Sequence, residues 1–433
     1  MSLQVFRKIK KLYTFENVVR KEGRQIKSDD LSFIKNAAMI TAGGQIVWVG
    51  PEKDLLSAIK NIQSKHDQFK SLKKSKNKIK SKKNIIYTDL SNQIIFPSFI
   101  ESHTHLVFAG DRRGEFEKRN QGIKYDQIAR EGGGILKTVQ ATQKATLKDL
   151  TILAQKRANH FVRQGVTTIE AKSGYGLEEK TELKILSVHQ KIIGPRIVST
   201  YLGAHAVPKG RIKAEYLNEM IRRTLPEIIK KKLATRMDMY IENGFYDFSD
   251  ADLYFRAAKN SGLDICAHVD QLNAIGGADY MLKHNPDSLD HCVFLKPASY
   301  RKLAQSQTTI VLLPTSDFYL KMAYPNARAL IDAGARVALA TDFNPGTSPT
   351  QDLSFVGVLA RLNMHMTWPE VFAAYTFNAA KALGFNAETK PHLGALLPGF
   401  QADFVVSSAD LEDYFYQVGT HPVSLVYKDS GLL

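Results

Sequence analysis

Phe96-Pro97-Ser98-Phe99-Ile100-Glu101-Ser102-His103-Thr104-His105 is the stretch of this chain that decides its fold. It begins in an apolar run and ends in two histidines that are separated by one residue. Because side chains alternate between the two faces of a β-strand, residues two positions apart point the same way. We therefore expect His103 and His105 to project together from the end of a buried strand, where they can bind a divalent metal ion. From the spacing alone, two histidines satisfied by hydrogen bonds remain an equally good interpretation.

Downstream of this stretch, short apolar segments alternate with amphipathic helical patterns such as those of residues 178–191 and 216–231. Seven further strand cores are predicted, at residues 165–170, 196–201, 238–242, 263–268, 288–291, 309–313 and 336–342. Eight strands in strict alternation with helices predict an α/β protein built as a (β/α)₈ TIM barrel rather than an open sheet.

The two ends of the chain have a different pattern. Residues 1–93 contain short alternating segments, and Ala42-Gly43-Gly44-Gln45 between two of them predicts a hairpin turn. After the last barrel strand we expect a helix around 368–383, and from Gly394 onward the pattern is again that of β-structure. The sequence thus predicts a small β-sandwich-like domain from residues 1–93 plus 393–433, beside a barrel of residues 94–392.

The formal net charge of +16 makes nucleic acid or an anionic surface a possible partner to consider. Half of this excess lies in residues 64–83, which contain nine lysines and one aspartate and almost no apolar side chains. Such a segment is typical of a solvated, disordered loop rather than of a binding fold. We therefore do not expect a nucleic-acid partner, and the role of the lysine-rich segment stays open.

Cysteine usage and hydropathy indicate the compartment. Cys266 and Cys292 each lie inside a predicted buried strand, which fits free thiols in a reducing environment better than a disulfide. Residues 1–15 are basic but lack the apolar run of a signal peptide. No apolar run approaches the roughly 20 residues that a membrane span needs. The sequence predicts a soluble, cytoplasmic protein without a membrane partner.

Potential metal ligands gather at the predicted strand ends, which form the active-site face of a barrel of this kind. Asp342 ends the last strand, and five of the twelve histidines lie at such ends: His103, His105, His205, His268 and His291. His268 and Asp342 would complete a set of three imidazoles and one carboxylate with the opening pair. That set suits Zn²⁺ or Fe²⁺ with one position open for water. The alternative is a group of structural histidines, each satisfied by a backbone partner.

Six segments add a more specific combination of motifs, at residues 103–112, 131–135, 170–176, 203–208, 268–271 and 341–349. They read HTHLVFAGDR, EGGGI, EAKSGYG, GAHAVP, HVDQ and TDFNPGTSP. Together they resemble the amidohydrolase superfamily and, more narrowly, its members that open the ring of 4-imidazolone-5-propanoate in histidine degradation. The resemblance extends over roughly residues 90–410 and is far more specific than any one of the motifs.

The resemblance implies a site, a substrate and an assembly. One metal ion per subunit, zinc or iron in a divalent or trivalent state, would be bound by His103, His105, His268 and Asp342. The implied substrate contacts are Arg112, Tyr175, His205, Gln271, Asn344, Gly346 and Thr347. The implied partners are a small-molecule substrate and a second copy of the chain in a homodimer.

These residue types suit an anionic substrate with a cyclic amide. Arg112 presents a planar fork that matches a carboxylate, although a surface ion pair is the alternative for it. The turn at Gly346 and Thr347 would expose backbone N–H groups and a hydroxyl to a second anionic or polar atom. Tyr175 would lie at the mouth of the second strand, where simple packing is the alternative.

The expected reaction is hydrolysis of the ring amide to N-formimidoyl-L-glutamate, with a metal-bound water of lowered pKa. His291 is the predicted general base or orienting residue for that water, because an ordinary histidine pKa suits the role. Asp342 would share the proton, and His205 would donate a hydrogen bond to the ring or to the developing oxyanion.

Gln271 stands where related metal deaminases have a glutamate. A neutral amide can orient a substrate but cannot exchange a proton, which argues against deamination and leaves the proton route open. The fourth strand ends in Glu242 rather than a lysine, which argues against a two-metal centre with a carbamylated lysine. A different cyclic-amide hydrolase, a deaminase and a nucleic-acid-binding protein remain the alternative functions.

Overall fold

In the computed structural model, residues 2–72, 85–123 and 133–433 are described, with the backbone alone at 65–72. Within these ranges the strands form two eight-stranded sheets. One closes as the barrel, with β6 (Phe99–Glu101), β7 (Val166–Lys172), β8 (Arg196–Ala204), β9 (Arg236–Ile241), β10 (Asp264–Val269), β11 (Ser288–His291), β12 (Thr309–Leu312) and β13 (Arg336–Leu339). The other, the terminal sheet, contains β1 (Leu3–Tyr13), β2 (Phe33–Ala42), β3 (Gln45–Pro51), β4 (Ile85–Asp89), β5 (Ile94–Pro97), β14 (Phe404–Ser407), β15 (Val423–Lys428) and β16 (Gly431–Leu432).

Helices follow the strands along the chain. In the described ranges they are α1 (Glu16–Arg20), α2 (Leu55–Leu72), α3 (Arg113–Asn120), α4 (Ile135–Lys144), α5 (Leu147–Arg163), α6 (Glu179–His189), α7 (Lys213–Glu219), α8 (Leu225–Lys231), α9 (Phe248–Asn260), α10 (Gly277–Met281), α11 (Pro297–Gln305), α12 (Pro314–Leu320), α13 (Ala327–Asp332), α14 (Leu353–Asn363), α15 (Trp368–Tyr375) and α16 (Phe377–Ala382). One π-helical turn, Met220–Thr224, joins α7 to α8.

The barrel strands are parallel and pair in chain order, which confirms the predicted TIM barrel. The ring closes between the first and last strands, where Thr104 forms a parallel bridge with Phe343. The His105 N–H also donates to the Phe343 carbonyl at 2.9 Å. The hydrogen bonds that close the barrel therefore fix the position of the backbone at His103–His105.

The opening stretch divides between the two sheets. Ile94–Pro97 pairs with β1 and β14, whereas Phe99–Glu101 starts the barrel. The change of partner occurs at Ser98, whose N–H donates to the Asp403 carbonyl at 3.1 Å, while the next N–H donates to the Gly165 carbonyl at 2.9 Å. The apolar run before the histidines is thus not one continuous barrel strand, and one residue carries the chain from the terminal sheet into the barrel.

Both chain ends build the terminal sheet, whose strand order is β16-β15-β14-β5-β1-β2-β3 with β4 branching from β1. The predicted hairpin is present, with Ala42 opposite Gln45 between β2 and β3. The exact division into residues 1–93 plus 393–433 and 94–392 stays a prediction, and β5 shows that the sheet includes residues 94–97.

Two helical segments differ from the sequence predictions. The expected loop at 64–83 begins as helix, because α2 continues to Leu72 after Leu55, Ala58 and Ile59 pack on the terminal sheet. The rest of that segment, residues 73–83, lies outside the described residues. The expected helix at 368–383 is divided at Thr376, whose φ of −119° and ψ of −97° are not helical.

Among the described residues, both cysteines are free and buried. None of the helices in those ranges combines the length and the apolar character that crossing a membrane requires.

Aromatic rings join the terminal sheet to the barrel. Phe96 of β5 is fully buried, and its ring centroid lies 5.4 Å from that of Phe99, 5.6 Å from Phe372 and 5.3 Å from Tyr414. These neighbours come from the barrel, from α15 and from the C-terminal segment. The contact combines buried apolar area with favourable edge-to-face ring geometry.

We expect Phe96→Ala to lower the free energy of unfolding by about 3–5 kcal/mol, because the cavity it leaves is enclosed on three sides. Urea unfolding followed by circular dichroism measures this change. Phe33→Ala is the matched control, since that ring is 48% exposed and its loss should cost about 1 kcal/mol or less. Equal losses in the two variants would contradict the assignment of Phe96 to a packed interface.

Candidate active site

The carboxyl ends of the barrel strands surround a cavity of about 400 Å³. Ten of the residues predicted for the site line it: His105, Arg112, Tyr175, His205, His268, Gln271, His291, Asp342, Asn344 and Thr347. His103 lies next to them and is fully buried. Gly346 lines an adjoining cavity that shares Arg112 and Asn344. The structure thus brings the predicted residues to one end of the barrel.

The predicted metal ligands form a compact donor group. His103 Nε2 lies 3.5 Å and His105 Nε2 3.6 Å from Asp342 Oδ1. These three residues could hold a metal ion, and so could His103, His268 and His291, because within each group the donor atoms lie within 4.8 Å of one another. Among the described residues, His103 Nε2 and His268 Nε2 are buried and have no hydrogen-bond partner. A buried, unsatisfied imidazole nitrogen is costly, and a metal ion at this point would satisfy several at once.

Two carboxylates that sequence reasoning missed orient these imidazoles. His103 Nδ1 donates to Asp290 Oδ2 at 2.7 Å, and His268 Nδ1 donates to Asp238 Oδ1 at 3.2 Å. Because a carboxylate accepts at Nδ1, the proton resides there and Nε2 presents its lone pair to the cavity. The sequence contains one indication of them, because acidic residues are rarely buried without a partner. Asp238 lies inside the buried strand β9, and Asp290 lies inside the buried strand β11.

Burial sets the charge of the other titratable groups. It lowers the pKa of His205 to about 4 and holds the pKa of His291 well below its ordinary value, so both imidazoles are neutral at pH 7. The expectation of an ordinary pKa for His291 is therefore wrong. Burial also raises the pKa of Asp342 to about 7, and a cation bound to that carboxylate would oppose the shift.

The His205 imidazole differs from its expected role. Its Nδ1 donates to the Gly174 carbonyl at 3.1 Å, and its ring stacks on His105 with centroids 5.1 Å apart. A neutral imidazole that donates through Nδ1 carries a lone pair on Nε2. His205 is therefore placed to accept a hydrogen bond in the cavity, not to donate one. Tyr175, 4% exposed, packs against both rings with centroids 5.4 and 5.5 Å away.

Arg112 lies inside the site rather than in a surface ion pair. Its side chain is 7% exposed, and Nε donates to Glu115 Oε2 at 2.7 Å. The guanidinium passes directly over Gly346, where a Cβ atom would stand 1.9 Å from Arg112 Nη1. A side chain at residue 346 would displace the guanidinium from this position.

The turn after β13 is held by its own side chain. Asn344 Oδ1 accepts the N–H groups of Gly346 at 2.8 Å and of Thr347 at 2.7 Å. Asn344 Nδ2 donates to Thr347 Oγ1 at 2.9 Å. The expectation that these backbone N–H groups are exposed to an anion is therefore wrong, because the asparagine already occupies them. Substrate contact by Asn344, Gly346 and Thr347 stays a prediction.

Gln271 is positioned by Glu242, the carboxylate at the end of the fourth strand. Glu242 Oε2 accepts the N–H groups of Leu272 at 2.8 Å and of Asn273 at 3.3 Å. This fixes the loop that carries Gln271, which is 8% exposed at the cavity. Glu242 thus has a structural role, because it holds the loop after β10.

The barrel and its histidine–aspartate donor group define the class as an amidohydrolase. The profile of the amidohydrolase family matches residues 94–430. A crystal structure of a triazine hydrolase variant superposes with a TM-score of 0.68 at 16% identity, covering 100% of this chain and 95% of that one. A zinc complex of a mutant atrazine chlorohydrolase from Arthrobacter aurescens gives a TM-score of 0.65 at 16% identity, covering 99% of this chain and 95% of that one. At this identity the two structures support the fold alone.

Sequence relatives identify the particular family. The imidazolonepropionase of Bdellovibrio bacteriovorus is 44% identical over 424 residues, which cover 98% of this chain and 95% of that protein. The imidazolonepropionase of Bacillus velezensis is 39% identical over 349 residues, with coverages of 79% and 82%. The chain belongs to the imidazolonepropionase family.

We expect His268→Ala to lose bound metal while keeping the fold, because the imidazole lies at a strand end above the barrel core. Elemental analysis measures the metal, and circular dichroism measures the fold. His284→Ala is the matched control, since that imidazole also bonds to an aspartate, Asp252, at 2.8 Å but lies away from the site. Full metal occupancy in His268→Ala would remove His268 from the ligand set.

Proposed function

We propose that this protein hydrolyses 4-imidazolone-5-propanoate to N-formimidoyl-L-glutamate. The observation that carries the proposal is the 44% identity to an imidazolonepropionase over 98% of the chain. The cavity supports it independently, because it combines metal donors with one arginine fork for an anion. The substrate contains both matching groups, a cyclic amide and a propanoate carboxylate.

We propose His103, His105, His268 and Asp342 as the ligands of one zinc or iron ion. The buried, unpartnered nitrogens of His103 and His268 support this choice. The bound ion would lower the pKa of a water molecule and polarise the ring carbonyl. Asp238 outweighs the effect of burial and raises the pKa of His268, and a cation bound at Nε2 would oppose that shift.

Arg112 is the proposed partner of the propanoate carboxylate. Glu115 fixes the orientation of its guanidinium at Nε, and burial strengthens an ion pair formed in the cavity. The adjacent turn, stabilised by Asn344, holds Gly346 beneath the guanidinium. Asn344 and Thr347 form the wall beside the bound carboxylate.

His205 and Gln271 are proposed to orient the imidazolone ring. The lone pair on His205 Nε2 accepts a ring N–H group, since Nδ1 is engaged with Gly174. The Gln271 amide can both donate and accept, and it carries no exchangeable acidic proton. Tyr175 packs against His205 and limits the positions that the ring can take.

His291 is the proposed general base. Its lowered pKa keeps the imidazole unprotonated at neutral pH, and its ring centroid lies 5.1 Å from that of His268. His291 accepts a proton from the attacking water and returns it to the ring nitrogen as the C–N bond breaks. Asp342 is proposed to share that proton, since its carboxyl group lines the same cavity as His291.

We further propose that the enzyme works as a cytoplasmic homodimer without a nucleic-acid partner. The proposal is supported by the buried free thiols and by the family to which the chain belongs. Light scattering after size exclusion measures the oligomeric state. A mobility assay with and without residues 64–83 tests nucleic-acid binding.

The proposed reaction is tested with the purified full chain. Loss of the ultraviolet absorbance of 4-imidazolone-5-propanoate and formation of N-formimidoyl-L-glutamate are expected, and both should stop with a chelator. Recovery after adding zinc or iron separately identifies the effective metal. No metal-dependent turnover, or ammonia release from a purine or pyrimidine instead, would overturn the proposal.

Arg112→Lys should raise KM by about 10–100-fold, the loss expected for one charge-assisted hydrogen bond, and should change kcat far less. Lysine keeps the charge but cannot bond to Glu115 and grip a carboxylate with two N–H groups. Steady-state kinetics separate the two constants. Arg113→Lys, at a neighbouring side chain that is 88% exposed, is the control and should leave both unchanged. An unchanged KM in Arg112→Lys would remove Arg112 from the site.

A further inference from the structure

Lys172 is buried in the barrel interior, next to the proposed metal ligands. It ends β7 and is 1% exposed. Its Nζ lies 2.8 Å from Glu170 Oε1, 2.8 Å from Asp238 Oδ2 and 3.3 Å from Asp290 Oδ2. An ammonium group has three donors, and three carboxylates surround this one.

Two of these carboxylates are the ones that orient the metal-binding imidazoles. Asp290 Oδ2 contacts both Lys172 Nζ and His103 Nδ1, which is 2.7 Å away. Asp238 contacts Lys172 Nζ through Oδ2 at 2.8 Å and accepts a hydrogen bond from His268 Nδ1 through Oδ1 at 3.2 Å. A single ammonium thus connects two histidines through one carboxylate on each side. His103 follows β6, and His268 lies on β10.

We propose that Lys172 is a positioning residue for the metal site. By holding Asp238 and Asp290 together, it fixes the Nδ1–H tautomer and the ring direction of His103 and His268, whose Nε2 atoms face the cavity. This inference rests on the metal-binding role proposed above. It assigns to Lys172 the preorganisation of the ligands, without contact to the metal, the substrate or the water.

The reason is electrostatic. Buried carboxylates are stable only when paired and hydrogen-bonded. Without the ammonium, Asp238 and Asp290 would be two like charges in a region of low dielectric, and they would repel each other. Each carboxylate would move apart together with the imidazole bonded to it. The Nε2 atoms of His103 and His268 would then no longer point to one metal position.

The backbone of Lys172 makes a separate contact that does not depend on its side chain. Its N–H donates to the carbonyl of Thr104, between the two opening histidines, at 2.9 Å. A substitution at position 172 therefore keeps this backbone link and removes only the ammonium.

The test compares Lys172→Met with a matched control, Lys184→Met. Lys184 Nζ also makes three hydrogen bonds, to the carbonyls of Thr142, Gln143 and Ala145 at 3.0, 2.9 and 2.8 Å, but it contacts no part of the site. Zinc transfer from the loaded proteins to a chromophoric chelator gives the dissociation constants. Lys172→Met should bind zinc about 10–100-fold more weakly, as for other partners of metal ligands, and Lys184→Met should match the wild type.

A second measurement reports the imidazoles directly. Nitrogen-15 NMR of the chelator-treated wild type should show the Nδ1–H tautomer at His103 and His268, and Lys172→Met should show a mixture. Lys172→Arg, which retains the charge, should keep a zinc affinity closer to that of the wild type than Lys172→Met does. If Lys172→Met does not fold, Lys172→Gln is used in its place, because glutamine keeps a hydrogen-bond donor without the charge.

The outcomes separate the two proposals. The positioning role would be overturned if Lys172→Met or Lys172→Gln kept the zinc affinity and the histidine tautomers of the wild type, even with a lower stability. The Nε2–H tautomer at either histidine in the wild type would overturn it without any variant. A wild-type protein that binds no zinc or iron would overturn the metal-site proposal itself, and this inference with it.

Discussion

The hydrogen bond of 2.7 Å between His103 Nδ1 and Asp290 determines which nitrogen of that imidazole faces the cavity. An imidazole can bind a metal through one nitrogen only if that nitrogen is unprotonated, and a carboxylate at the other nitrogen secures this state. The same arrangement recurs at His268 with Asp238. The site therefore depends on buried acidic groups in the barrel wall as much as on the residues that line the cavity.

The proposed metal site and the proposed substrate-recognition site occupy different parts of the fold. The proposed metal ligands stand at strand ends, where the ladder of the barrel fixes the backbone, while Arg112 and the turn at residues 344–348 lie in the loops after the first and last strands. These two loops meet where the barrel closes, through the hydrogen bond between His105 and Phe343. Barrel closure thus aligns the proposed carboxylate site with the metal donors, and recognition of the anion becomes part of the same rigid structure.

Local periodicity predicted the barrel strands and the gathering of histidines, because alternation and strand ends are properties of a few consecutive residues. The orienting groups were not predictable in this way. Asp290 meets His103 across 187 residues of sequence, and the EAKSGYG motif that contains Lys172 does not show which carboxylates its ammonium contacts. The acceptor role of His205 depends on the Gly174 carbonyl, and the use of the N–H groups by Asn344 depends on a turn conformation. Such details arise from contacts between residues that are distant in the sequence, and local sequence patterns do not contain that information.

The absence of a side chain at Gly346 determines where the Arg112 guanidinium lies. The guanidinium of Arg112 lies where a methyl group at residue 346 would be, so the missing side chain lets the guanidinium lie against the backbone of the turn. Adding even one carbon there displaces the arginine before it alters anything else. Residues 112 and 346 are therefore coupled, since the size of the side chain at 346 determines where the guanidinium of the proposed carboxylate site can lie.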